Sequence, residues 1–203
     1  MKRKFGILIL LAAASFSLTA EDCVLQNKDI EVPLRGDVDM MFTSQGFTDA
    51  DAETVDFGAE LLKIQDEAGD DVESLVSGGI EGGFWRLVEN RGDPNTTLQG
   101  SVDVFRMSTA VEAVLIPETQ VDLSTVGMTF VPAPLEAAGV DLLTEGFQEY
   151  INWWNGDQTG PFPDLRYIFV WNSVTSTDAD FDWEGRLRFI LTGVFSVEVP
   201  DLW

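Results

Sequence analysis

Asp178, Asp180, Asp182 and Glu184 stand at alternate positions, D-x-D-x-D-x-E. Oxygen ligands at this spacing converge on Ca²⁺ where the backbone turns. On an extended strand the same carboxylates line up along one face instead, about 6–7 Å apart. An EF-hand is excluded, because its sixth position needs Gly and holds Trp183, and its twelfth needs a bidentate Glu and holds Phe189. The run therefore reads first as a solvated strand face. If Ca²⁺ binds, Asp178, Asp180 and Asp182 are the candidate ligands. A second acidic group, Asp49, Asp51 and Glu53, reads as a polar loop leading into a short helix.

Tryptophan is the other chemistry-bearing residue, with six in 203 residues. Exposed indoles beside carboxylates and amides bind sugar rings by stacking and hydrogen bonding. Trp85 neighbours Phe84 on a strand, so one of the two rings must face out. Trp153 and Trp154 are adjacent on a helix, about 100° apart, and cannot both be fully buried. Trp85 and Trp153 are thus the candidate ligand-binding pair. Trp171 and Trp183 fall on inward registers and read as core.

Carboxylate catalysis needs neither His nor Cys, but a glycosidase needs two acids flanking a cleft. Glu145 and Glu149 share a helix face, where solvation explains them as well. Arg35-Gly36-Asp37 and Arg91-Gly92-Asp93 are both R-G-D, the second in an expected turn; a three-residue match in a Gly- and Asp-rich chain is weak. Asn95-Thr96-Thr97 is a glycosylation sequon, relevant only to a eukaryotic secretory path.

The chain has no histidine, which removes Ser-His-Asp and Cys-His catalysis, His-ligated metals and imidazole pH switching. Its formal charge is −23. Residues 1–20 read as a secretory signal: Lys2-Arg3-Lys4, then Phe5 to Phe16, then small residues ending at Ala20. Without them, nine basic and 35 acidic side chains leave a charge of −26. That field repels nucleic acid and anionic lipid. The acids are dispersed, and lysine is reduced to Lys28 and Lys63, a composition resembling that of proteins from salty environments. Cys23 is the sole cysteine; Asp22 before it argues against a lipobox, and one thiol forms no internal disulfide. The core alone must hold an exported fold together.

Alternation of period two dominates the elements that must position these residues. Ile30, Val32, Leu34, Val38, Met40 and Phe42 form one inward set, with Pro33 outward on an edge or bulge. Phe181, Trp183, Gly185, Leu187, Phe189, Leu191, Gly193, Phe195, Val197 and Val199 form another. That run would span about 60 Å, long enough to expect a bend near Gly185 or Gly193 and a share in both sheets of a sandwich. Further strands are expected at 72–88, 97–107, 111–116 and 165–174, with a short seventh around 121–123. The segments 72–88 and 97–107, separated by the turn at 90–95, read as a hairpin. Helices are expected at 57–67 and 139–154. No segment after residue 20 is apolar for long enough to span a membrane as a helix. The terminal Trp203 suits an outer-membrane barrel, but acids on nearly every outward face do not.

These observations predict a mainly β chain: a signal at 1–20 and a single antiparallel β-sandwich domain at 21–203. It would have six or seven strands, one longer helix and one short helix. The functional expectation is a secreted or periplasmic, non-catalytic binding or structural module of the bacterial envelope or exterior, with an acidic surface and a protein or glycan partner. The alternatives are a carbohydrate-binding module, calcium-stabilised or not, and a carboxylate-dependent hydrolase. No cofactor is required.

Overall fold

The computed structural model describes residues 25–68, 72–156 and 158–200. The signal at 1–20, Cys23 and Trp203 lie outside the described residues. The elements run β1 (Leu25–Asp56), α1 (Phe57–Ala68), β2 (Val72–Asn90), β3 (Thr97–Arg106), β4 (Val111–Asp122), a 3-10 turn (Leu123–Thr125), β5 (Val131–Ala133), α2 (Ala137–Asn155) and β6 (Arg166–Pro200). Every strand pairing is antiparallel, and the two helices complete a mainly β fold of the sandwich kind.

The architecture follows from β6. Its 35 residues pair along one side with β1, from Leu25↔Pro200 to Asp56↔Arg166. Along the other side its two halves take different partners. Residues 167–175 pair with β3, which continues to β4. Residues 181–195 pair with β2, which continues to β5. The β1–β6 ribbon bends once, where Gly46↔Ala179 gives way to Thr48↔Val174 and residues 175–178 bulge. Gly46 has φ +80°, a conformation that costs a residue without Cβ little. Thr175 Oγ1 donates to the Gly46 carbonyl at 2.9 Å and braces the bend.

The expected sharing of one strand between layers is thus present, but the bend lies at 175–178. At Gly185 and Gly193 the pairing with β1 runs on unbroken; there the missing side chains make room for Trp183 and Phe195. The expected strands at 165–174 and 181–199 are accordingly one strand. The hairpin expected between 72–88 and 97–107 does not form. Each of these strands pairs with its own half of β6, and the connection crosses between layers, with the Arg91 and Gly92 amides donating to the Asp180 carbonyl at 2.7 and 3.1 Å. The local hairpin is β3–β4 instead. β4 continues past Pro117, the expected stop, because register shifts opposite Gly100 and Val102 absorb the missing donor. The short β5 lacks any alternation long enough to announce it in the sequence.

The inward sets are buried in their middle stretches but not at their ends: Ile30 is exposed, and Val32, Leu34, Phe195 and Val197 are half-buried, because the β1–β6 ribbon runs past the core there. Val38, Met40 and Phe42 from β1 and Phe181, Trp183, Leu187, Phe189 and Leu191 from β6 are buried in one cluster. Phe57 contacts Phe169 from one half of β6 and Phe189 from the other, with ring centroids 6.3 and 5.9 Å apart. α2 buries Gly139, Leu142, Leu143, Gly146, Phe147, Tyr150 and Ile151, a 3–4 spacing that defines one helical face. That face packs on β2 and β4 and closes part of the gap between layers. Among the described residues no helix is long and apolar enough to cross a membrane.

Candidate functional site

The D-x-D-x-D-x-E run lies on β6, entering from the bend. Asp178 is exposed. Asp180 and Asp182 both face Arg91, whose guanidinium lies 2.7 Å from an oxygen of each and 2.7 Å from Glu89. Hydrogen bonding from Arg91 holds the Asp182 carboxyl below its usual range, against the opposing effect of partial burial; Thr43 Oγ1 adds a further donor at 2.9 Å. Glu184 is buried and accepts from Arg86 Nε at 2.6 Å. The cation at this cluster is a guanidinium, and Ca²⁺ would have to displace it. Among the described residues no three acidic or thiol side chains are grouped to hold a metal.

This cluster belongs to a wider ladder on the outer face of one layer. Asp37 and Asp39 of β1 stand in register with Arg188 and Arg186 of β6, and each pair is bidentate. Arg35 reaches Glu81 at 3.0 Å. The Phe130 ring lies under Arg86 and Arg186, 4.7 and 4.2 Å from their guanidinium carbons, and Phe84 lies under Arg188 at 5.3 Å. The first R-G-D is absorbed here, but of the second only Arg91 is, and Asp93 stays exposed in its turn. Arg35, Asp37 and Arg91 are held in ion pairs, and Gly36 sits in the ladder against Phe189.

Asp49, Asp51 and Glu53 are in β1, beyond its bend, and not in the loop their polarity suggests. They lace the two arms of the folded strand together at its open edge. Gln45 N donates to Asp49 at 2.8 Å, Thr43 N to Asp51 at 2.9 Å, and Met41 N to Glu53. Alternate acids thus satisfy alternate edge amides that have no neighbouring strand.

Trp153 is half-buried, donates to the Gly160 carbonyl at 2.9 Å and packs edge-on against Phe162 at 5.0 Å. Glu149 pairs with buried Arg106 of β3, tying α2 to the sheet. Glu145, one turn before it, is exposed.

Trp85 has a different setting. Phe84 takes the outer face and Trp85 turns inward, into a narrow cleft where the two layers part between β2–β5 and β3–β4. Leu98, Gly100, Ile116, Thr119 and Val121 form one wall, Trp85, Ala133 and Pro134 the other, and Trp171 and Trp183 the floor. The cleft encloses about 40 Å³, and the rest of the space before it is open to solvent. Trp171 and Trp183 come from opposite halves of β6, yet their ring centroids lie 4.5 Å apart. Phe42 stacks on Trp183 at 4.6 Å. Trp171 Nε1 donates to Ser44 Oγ at 2.8 Å. Trp183 Nε1 is buried without an acceptor. Gly100 is required beneath Trp171, because a Cβ there would overlap the indole.

The inward registers of Trp171 and Trp183 predict core positions, and both are buried. Their second role, as cleft floor, depends on the bend that brings the halves of β6 together. The one local signal is Gly100, a glycine interrupting a strand, which marks a close approach.

No family model matches this chain, and no curated protein matches it. Among solved structures, it is similar to a chain of Desmodium yellow mottle tymovirus at 11% identity and a TM-score of 0.29, covering 100% of this chain and 98% of that one. Similarity at that level supports no conclusion about fold or function.

Proposed function

We propose that this chain is a secreted, non-catalytic binding module of the bacterial envelope or exterior, and that the cleft between its layers is where it binds. The observation that carries this reading is the cleft itself: a concave, preformed, mostly apolar space floored by two indoles in a strongly acidic protein. A minority of the outward carboxylates engage arginines and edge amides as structural groups, and the rest serve as solubilising charge. Trp85 serves the sugar-binding alternative as well, but the walls offer one hydroxyl, Thr119, where a sugar ring needs several polar partners.

Thermal melts of the chain without residues 1–20, against a panel of glycans and small apolar compounds, test the reading. A ligand at ~100 times its Kd stabilises by about 2.7 kcal/mol, which raises Tm by roughly 5–10 °C in a domain of this size. The stabilisation disappears in Trp85→Ala and persists in Trp153→Ala. Loss with Trp153→Ala alone would move the site to α2, and product release from any glycan would make the chain a hydrolase. The same melts with EDTA address calcium: a drop in Tm, restored by Ca²⁺ but not Mg²⁺, would place a stabilising ion at Asp178, Asp180 and Asp182.

A further inference from the structure

The two halves of the β1–β6 ribbon present contrasting outer faces. In the half paired with β3, Tyr167, Phe169 and Trp171 of β6 and Val102 and Val104 of β3 are buried, so the residues alternating with them point outward. Across β1, β6 and β3 these align in four rows of three, from Thr48–Val174–Gln99 to Thr54–Ile168–Phe105. Of the twelve residues only Asp103 is charged, and Asn172 Nδ2 donates to it at 3.0 Å. The four matching rows of the other half, from Asp37–Arg188–Gly82 to Thr43–Asp182–Glu89, hold eight charged residues among twelve. The same two strands thus carry charge on one outer half and almost none on the other. Val114 of β4, opposite Asp103, continues the uncharged area, and both Val114 and Val174 are exposed. Among the described residues the helices leave this face open, since their buried sides join the core between the layers.

We propose that this outer face of β1, β6 and β3 docks a second copy of the chain, sheet on sheet about a two-fold axis. Contiguous apolar surface of this kind marks an interaction face. The charge of the chain selects the occupant. Two bodies this acidic repel each other wherever either brings carboxylates, and a two-fold axis sets the uncharged face against itself. A cationic partner finds its counter-charges elsewhere on the surface. The relief suits close approach: Ala50 and Ser101 flank Asn172 in a shallow dip, and packed sheets lie about 10 Å apart. The area is also sufficient. Four strands spaced ~4.8 Å apart, each about nine residues long, make a face of roughly 600 Å². Burying it on both copies removes about 1,200 Å², the lower end of the range for stable interfaces. Glu112 and Glu118 of β4 lie beside it as a polar rim. The cleft opens on the inner side of β6, so this contact and the binding reading stand or fall separately.

Sedimentation of the chain lacking residues 1–20 tests this between about 1 and about 100 μM, where a dimer of micromolar affinity populates. A dimer forms, and it tightens from 0.1 to 1 M NaCl as the screening length shortens from about 10 to about 3 Å. Val174 and Val76 are equally exposed, 53% and 52%, but Val76 belongs to β2 and lies outside the face. Val174→Glu sets like charges into the contact and weakens the dimer about tenfold or more, whereas Val76→Glu leaves it unchanged. Should Val174→Glu fail to fold, Ala50→Glu at an exposed site on β1 gives the same reading. A chain monomeric at every concentration and both salts overturns the proposal. So does a dimer that weakens with salt, or one indifferent to the folded face variant. Flotation with phosphatidylcholine vesicles by a chain that stays monomeric would assign the face to lipid and remove the second copy.

Discussion

Tyr150 and Tyr167 are the only tyrosines in the chain, and each is 1% exposed. Their hydroxyls make only long contacts, 3.4 Å to Gln65 and 3.4 Å to the Leu142 carbonyl. Burial pushes both phenols up from 10.0 to about 12. For Tyr167, nearby Arg106 opposes that shift without reversing it. Below pH 10 both are neutral whether the chain is folded or not. Between pH 10 and 12 the unfolded chain loses these protons and the folded chain keeps them, so stability falls as pH rises. The slope approaches about 1.4 kcal/mol per pH unit for each tyrosine. Urea unfolding at stepped alkaline pH, followed by tyrosinate absorbance, would show ionisation and unfolding together. Two phenols titrating near pH 10 in a chain still folded would refute the burial account. Residue types are legible in the sequence at this scale, and partners are not. Nothing local announces that Arg91 lies between Asp180 and Asp182, because they are some 90 positions apart along the chain.

Elements are better signposted than their connections. The period-two runs and the 3–4 spacing of α2 reflect one-sided burial, which a sequence records directly. β1 shows what such patterns omit. Asp49, Asp51 and Glu53 alternate with small or polar residues, as loops and solvated strands both do, and only the fold-back of β1 reveals their task. Replacing Asp51 by Ala leaves Thr43 N at the edge without its acceptor, at a cost of about 1–3 kcal/mol. It also exposes a pairing edge and promotes self-association. Asp51→Asn keeps an acceptor oxygen and recovers much of the loss. Chemical denaturation and sedimentation of the two variants measure both effects. Equal stability of Asp51→Ala and the parent chain would mean the lacing is incidental.

Over the whole molecule, charge outweighs any single contact. Nine basic residues remain after residues 1–20, and of these only Lys28 forms no ion pair among the described residues. Most acids therefore have no cationic partner and repel one another across the surface. Raising salt from 0.1 to 1 M shortens the screening length from about 10 to about 3 Å. Repulsion among many carboxylates is lost, while exposed ion pairs worth roughly 0–1 kcal/mol each give up little. Tm therefore rises with NaCl, and an equally concentrated neutral osmolyte serves as the control in calorimetric scans. A falling Tm would mean the ion-pair ladder outweighs the repulsion.

The amino-acid sequence by itself determined the chemistry this protein lacks, the sign of its field, its mainly β class and the faces its strands and helices bury. Those properties depend on composition and on neighbours two to four positions apart. Tertiary structure alone decided that one 35-residue strand serves both layers, that β2 and β3 pair with its separate halves, and that Trp171 and Trp183 meet as the floor of a cleft. Each of these depends on where a long ribbon bends. The bend is set by Gly46 opposite a four-residue bulge, a pairing of distant segments that no local pattern encodes.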